Sequence, residues 1–170
     1  MVDLVEIQTA YYMVAATGVL IAAAYYIINT RTTLQTRQAQ LFMQVYNKWQ
    51  DKEFNESKQL VLHEYQCKGY EDYENIMKDK EKVSNLRVIG TFLEGLGVLV
   101  KRRLVDVRLV DDMVSGDVID FWEKYGEAVK EFRKRRGYPQ ALEWAEYLYG
   151  EIRSVAVSQH PELKAKGTSP

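Results

Sequence analysis

Few residues in this chain have the types and spacing that chemistry needs. His63 and Cys67 stand four apart, with Glu64 beside them, a spacing that places both on one face of a helix. A Cys–His nucleophile requires a thiolate, a positioned base and an oxyanion site. Zinc requires three or four ligands. The second histidine, His160, lies near the end of the sequence, so neither set is completed. The acids Asp106, Asp111, Asp112, Asp117 and Asp120 are dense enough to suggest a calcium loop. Counted from Asp111, Gly116 takes the required sixth place, but Met113 falls where the third position needs an oxygen. Helix capping and a solvated face account for these acids better. Glu94 is the most conspicuous carboxylate, because it sits in the most apolar soluble segment beside Gly95. It is expected to pair structurally, either with Arg87 two turns earlier or with a residue of another helix. No catalytic residue, cofactor or metal is expected, and no small-molecule substrate is evident.

Two basic clusters remain, Lys101-Arg102-Arg103 and Arg133-Lys134-Arg135-Arg136. Both fall at expected helix C-termini, where the helix dipole favours cations. Attraction to anionic lipid offers them a second use, worth on the order of 1 kcal/mol per charge close to the surface. Nucleic acid is not an expected partner, since no basic groove interleaved with aromatic residues is evident.

These residues hang from one stretch, Ile7–Thr30, IQTAYYMVAATGVLIAAAYYIINT, which carries no charge. At about 1.5 Å per residue, Ala10–Ile28 spans roughly 28 Å as a helix, close to the ~30 Å of a bilayer core. Tyr11 and Tyr12 at one end and Tyr25 and Tyr26 at the other match two interfacial belts. A cleaved signal peptide would begin with a basic region, whereas this chain begins MVDLVE, and its apolar run continues past Ala22–Ala24. No Lys or Arg precedes the stretch, and Arg31, Arg37 and Lys48 follow it. The expected topology is therefore a single span of the plasma membrane with residues 1–6 outside and the rest in the cytoplasm. Gly18 and Ala22 form a small-xxx-small pair on which two such helices could associate.

Beyond the span the chain reads as all-α. Of the 170 residues, the part after residue 30 holds all 23 basic side chains and all but two of the 24 acidic ones, so it is near neutral. One cysteine excludes an internal disulfide framework. About five helices are expected in a cytoplasmic domain over residues 31–158, with a disordered tail over 159–170. The segment after the span carries an apolar stripe through Leu34, Leu41, Phe42, Val45, Tyr46 and Trp49, and it can run on from the span unbroken. A second helix is expected over Asn55–Gln66 with Asn55 as its cap, followed by a charged, tyrosine-rich short helical turn or loop over Tyr70–Asp79. The central helix runs over Lys80–Arg103, and its Gly90, Gly95 and Gly97 imply close approach of another helix. Residues 104–113 read as a short connector of alternating character that can hold one helical turn. A helix then starts at Ser115 or Asp117 and reaches Arg135, and the last starts at Pro139 and ends near Ser158.

The stretches LRVIGTFLEGLGVLVKRRLVD (Leu86–Asp106), IDFWEKY (Ile119–Tyr125) and ALEWAEYL (Ala141–Leu148), preceded by an N-terminal span, resemble a family of small prokaryotic single-pass membrane-anchored helical proteins catalogued only as a domain of unknown function. The resemblance implies a span and a helical domain, and it implies no activity. The expected function is a membrane-anchored interaction or scaffold module, with a protein partner, a second copy or the bilayer surface as its target. The alternatives are an accessory subunit of a larger membrane complex, such as a transporter or a defence system, and an enzyme with an unfamiliar helical active site.

Overall fold

The computed structural model describes residues 3–159. Among these there is no strand. Six α-helices follow one another: α1 (Leu4–Gln50), α2 (Lys52–Gln59), α3 (Tyr70–Lys78), α4 (Lys80–Lys101), α5 (Val107–Arg136) and α6 (Glu143–Gln159). A π-turn, Leu60–Glu64, extends α2. The chain divides into two compact units between Gln40 and Leu41.

In the first unit every described residue is exposed. The threonines of this helix turn their hydroxyls onto their own backbone. Thr17, in the middle of the apolar stretch, donates to the Met13 carbonyl at 2.8 Å, and Thr9 donates to that of Val5 at 2.8 Å. Polar groups satisfied within the helix are what hydrocarbon demands. By length and composition both α1 and α4 are apolar enough to cross a bilayer. They differ in what covers them. Leu86, Ile89, Leu93, Leu96 and Val100 of α4 are buried in the second unit, whereas Val14, Val19, Leu20, Ile21 and Ile27 of α1 are exposed.

The second unit has one apolar core. Its inner faces follow the helical period: Phe42 and Trp49 at the end of α1, the five residues of α4 just named, Val110, Val114, Val118, Phe121, Tyr125 and Val129 of α5, and Ala145, Leu148 and Ile152 of α6. α6 packs against both α4 and α5. It runs parallel to α4, since Glu94 meets Trp144 and Lys101 meets Tyr147. It runs antiparallel to α5, since Arg133 meets Glu146 and Glu123 meets Arg153.

Several boundaries differ from the sequence expectation, each for a physical reason. α2 starts at Lys52 because Asp51, not Asn55, is its cap, accepting from the Phe54 amide at 3.1 Å. The helix over Asn55–Gln66 is not continuous. It passes into the π-turn where Lys124 and Tyr125 of α5 claim its carbonyls: Lys124 Nζ donates to Val61 O and Leu62 O at 3.0 and 2.9 Å, and the Tyr125 hydroxyl donates to Val61 O at 2.8 Å. Of the two readings of the charged segment after Gly69, helical turn or loop, the helical one is found and is longer than one turn: α3 runs over nine residues, with Tyr73 and Ile76 on its buried side. Residues 107–113 are more than a connector with one helical turn: they are the start of α5. Asp106 caps α5 by accepting from the Arg108 amide at 2.9 Å, and Val107, Val110 and Val114 carry the stripe of Val118 back to that cap. Asp117 instead pairs with Lys58 at 3.1 Å.

α5 ends on Gly137 in the left-handed region, φ 62°. Pro139 lies in the turn that follows, not in α6. Leu142, also left-handed at φ 55°, separates that turn from the first residue of α6. For a bulky side chain this conformation costs about 1–2 kcal/mol. Of the three glycines in α4, Gly97 and Gly90 meet the turn and α6 closely, whereas Gly95 faces open space. The His160-Pro161 break expected after the last helix and the expected disordered tail over 159–170 lie outside the described residues, save Gln159, which is helical and belongs to α6 instead.

Candidate functional site at the α4–α6 junction

Glu94 is held half-buried on α4 by the apolar residues around it. Its Oε2 accepts from the amides of Trp144 and Ala145 at 3.0 and 2.9 Å. These are first-turn amides of α6, which lack partners within their own helix. The residue that precedes α6, Leu142, has no side-chain acceptor, so a carboxylate fifty positions earlier caps the helix in its place. Of the two partners expected for Glu94, the one on another helix is found. Burial raises the Glu94 pKa, and the two amides pull against that rise.

Arg133 completes the junction from α5. Its Nε donates to Ala141 O at 2.8 Å, its Nη1 pairs with Glu146, and its Nη2 is buried without a partner among the described residues. The guanidinium also lies 5.8 Å from the Trp122 ring centroid. Arg133 is thus committed to holding the 137–142 turn against α6. The other members of the two basic clusters are exposed. Lys101 lies 4.5 Å from the Tyr147 ring, and Arg102 caps the end of α4. Arg103 takes a left-handed φ of 57° in the turn. Arg135 bonds Glu131 at 2.7 Å and lies 4.3 Å from the Tyr70 ring, and Lys134 and Arg136 face solvent beside it.

The remaining candidates are kept apart. The helical geometry that would align His63 with Cys67 ends at Glu64, because Tyr65 is extended. Burial pushes the Cys67 thiol up to about 11, which keeps it protonated. Its Sγ faces the Gly69 carbonyl at 3.8 Å. Among the described residues no three His, Cys, Asp or Glu side chains gather where a metal could be held. Gly18 has no neighbour within 4 Å of its potential Cβ, and Ala22 is exposed.

The α4–α6 junction and the helices it joins lie inside the part of the chain that a family model covers. The model, described as a domain of unknown function (DUF4760), matches residues 13–152. The chain belongs to that family. The DUF4760 match opens within the apolar stretch of α1 and closes in α6, so it takes in the Glu94 cap, the Arg133 network and both basic clusters. No curated protein matches the chain, and no solved structure does.

One consequence of the junction is measurable. Glu94→Ala leaves two helix-end amides without acceptors and lowers stability by about 1–3 kcal/mol. Glu94→Gln keeps one acceptor and costs less. Because the folded-state pKa of Glu94 is raised, its share of stability is full below the ordinary carboxyl value of 4.5 and is lost as pH rises through the folded value. The wild-type chain therefore loses ground to Glu94→Gln as pH increases from 4 towards neutrality. Denaturant titrations of both proteins across that range check the sign.

Proposed function

We propose that this DUF4760 chain is a single-pass membrane protein whose helical unit serves as an interaction or scaffold module rather than an enzyme. The observation that carries this reading is the fully exposed apolar face of α1 over residues 4–28, with its threonine hydroxyls satisfied internally. Water would leave that surface costly, and a bilayer core removes the cost. The absence of Lys or Arg before the span and the presence of Arg31, Arg37 and Lys48 after it favour a plasma-membrane topology with the second unit in the cytoplasm. The exposed cations Lys101, Arg102, Lys134 and Arg136 then lie on a unit tethered near anionic headgroups. The open face at Gly18 and Ala22 suits a second copy, and the helical surface of the second unit suits a protein partner.

Extraction of membranes with alkaline carbonate tests the anchor. The full-length chain is expected in the pellet. Leu20→Arg places a charge at the middle of the span, at a cost of about 2.5–3.5 kcal/mol, and is expected to raise the soluble fraction. Recovery of the wild-type chain as a soluble product, or as a product cleaved after Ala24, would overturn the reading. Topology is checked with Lys134→Cys in a Cys67→Ser background, labelled by a membrane-impermeant maleimide only after lysis.

A further inference from the structure

A cavity of about 310 Å³ opens beside the junction, between α3, α4, the end of α5 and the 137–142 turn. That volume lies at the lower end of the range of small-molecule sites, about 300–1,000 Å³. We propose that this cleft binds a small apolar molecule carrying one anionic group, with the anion held by Arg87.

The wall is apolar where Met77, Leu86, Phe132 and Leu142 meet. Two departures from default backbone chemistry shape it. Gly90 presents no side chain; a Cβ there would lie 3.2 Å from Leu142 Cδ2. Leu142 stands there with a left-handed backbone, φ 55°. Gly90 and Leu142 pack against each other, and both line the cleft.

The polar groups are arranged by charge along α4. Arg87, Gly90, Thr91 and Glu94 recur at three and four residues and line one side of the cleft. Arg87 is exposed and forms no hydrogen bond or ion pair among the described residues, though it is within electrostatic range of the Tyr73 phenol. Glu94, two turns away, is about 10 Å distant along the axis, and its Oε2 is occupied by α6. It does not neutralise Arg87. The cleft therefore has a cationic end, an apolar middle and an acidic end. Such a sequence accepts an apolar body with an anion at the Arg87 end, and it repels a second anion or a cation placed there.

The test uses the full-length chain in lipid nanodiscs, with 4-phenylbutyrate as the probe and 4-phenylbutylamine as its cationic counterpart, read by isothermal titration calorimetry against empty nanodiscs. Saturable binding of the carboxylate in excess of the empty-disc signal is expected, with the amine failing to saturate. Arg87→Met, an exposed substitution, is expected to weaken binding at least about tenfold. Thr91→Trp, which fills the space from an exposed position, is expected to abolish it, while both variants keep the wild-type circular dichroism spectrum. The proposal is overturned by a carboxylate signal no larger than that of empty discs. It is equally overturned by amine binding of equal strength, or by binding that survives both substitutions. None of these results bears on whether α1 spans the membrane.

Discussion

Gly97→Ala lowers the stability of the second unit by about 3 kcal/mol or more, the upper end of the cost of overpacking. A Cβ on Gly97 would lie 2.1 Å from the Trp144 carbonyl oxygen and 2.6 Å from its carbonyl carbon. Those atoms belong to the first turn of α6, which Glu94 holds by the amides of Trp144 and Ala145. No rotamer change can make room, so α4 and α6 must separate, and the Glu94 cap goes with them. Gly95→Ala is the matched control. Nothing lies within 4 Å of its potential Cβ, and the substitution is expected to stabilise the helix by up to about 1 kcal/mol. Chemical denaturation of the two variants, followed by far-ultraviolet circular dichroism, should therefore move the midpoint in opposite directions. Equal shifts would show that α4 and α6 do not touch at Gly97.

Trp49→Ala is expected to cost about 3–5 kcal/mol, the usual range for truncating a buried tryptophan. Trp49 is 4% exposed and its ring stands 5.2 Å from that of Phe54 and 4.9 Å from that of Phe92, which are themselves 4.8 Å apart. Lys58 covers the remaining side with its Nζ 4.7 Å from the ring, and its charge is met by Asp117. Removing the indole thus strands an aromatic cluster that joins α2 and α4 with the last turns of α1. Trp49→Phe retains part of the packing and should recover part of the loss. The check is the denaturation midpoint measured by near-ultraviolet circular dichroism. A loss under about 1 kcal/mol would mean that this end of α1 does not belong to the core.

The apolar period made the core legible. Leu86, Ile89, Leu93 and Leu96 recur at three and four residues, and all are buried. What could not be read from the period were features set by distant partners. Asp51 and Asp106 are ordinary capping residues, but nothing in their neighbourhoods says which of several nearby Ser, Asn and Asp residues will cap. The π-turn at Leu60–Glu64 depends on donors sixty residues further on. Tyr125 carried a clue, since a tyrosine on a buried face needs a partner for its hydroxyl, but the sequence does not say that Val61 O will be that partner. Glu94 was conspicuous as a carboxylate among apolar residues, and its pairing with backbone amides rather than with a cation became visible only with α6 in place. Arg133 looks like its neighbours Lys134, Arg135 and Arg136 in sequence, and only packing separates the inward side chain from the exposed ones. The cleft is least legible of all, because its shape depends on the left-handed Leu142 and the turn before it.

The long-range cap has a bearing on the order of assembly during synthesis. Chains emerge from the ribosome N-terminus first, and domains tend to close as units. α4, with Glu94, is complete some forty residues before α6 begins. α6 has no local acceptor for its Trp144 and Ala145 amides, and a helix in a protein draws most of its stability from packing its apolar face. The nascent chain therefore carries an apolar α4 face with a vacant place beside it until α6 is released. A ribosome-stalled chain ending near Tyr138 should expose that face to chaperones, and release of the full chain from the ribosome should hide it.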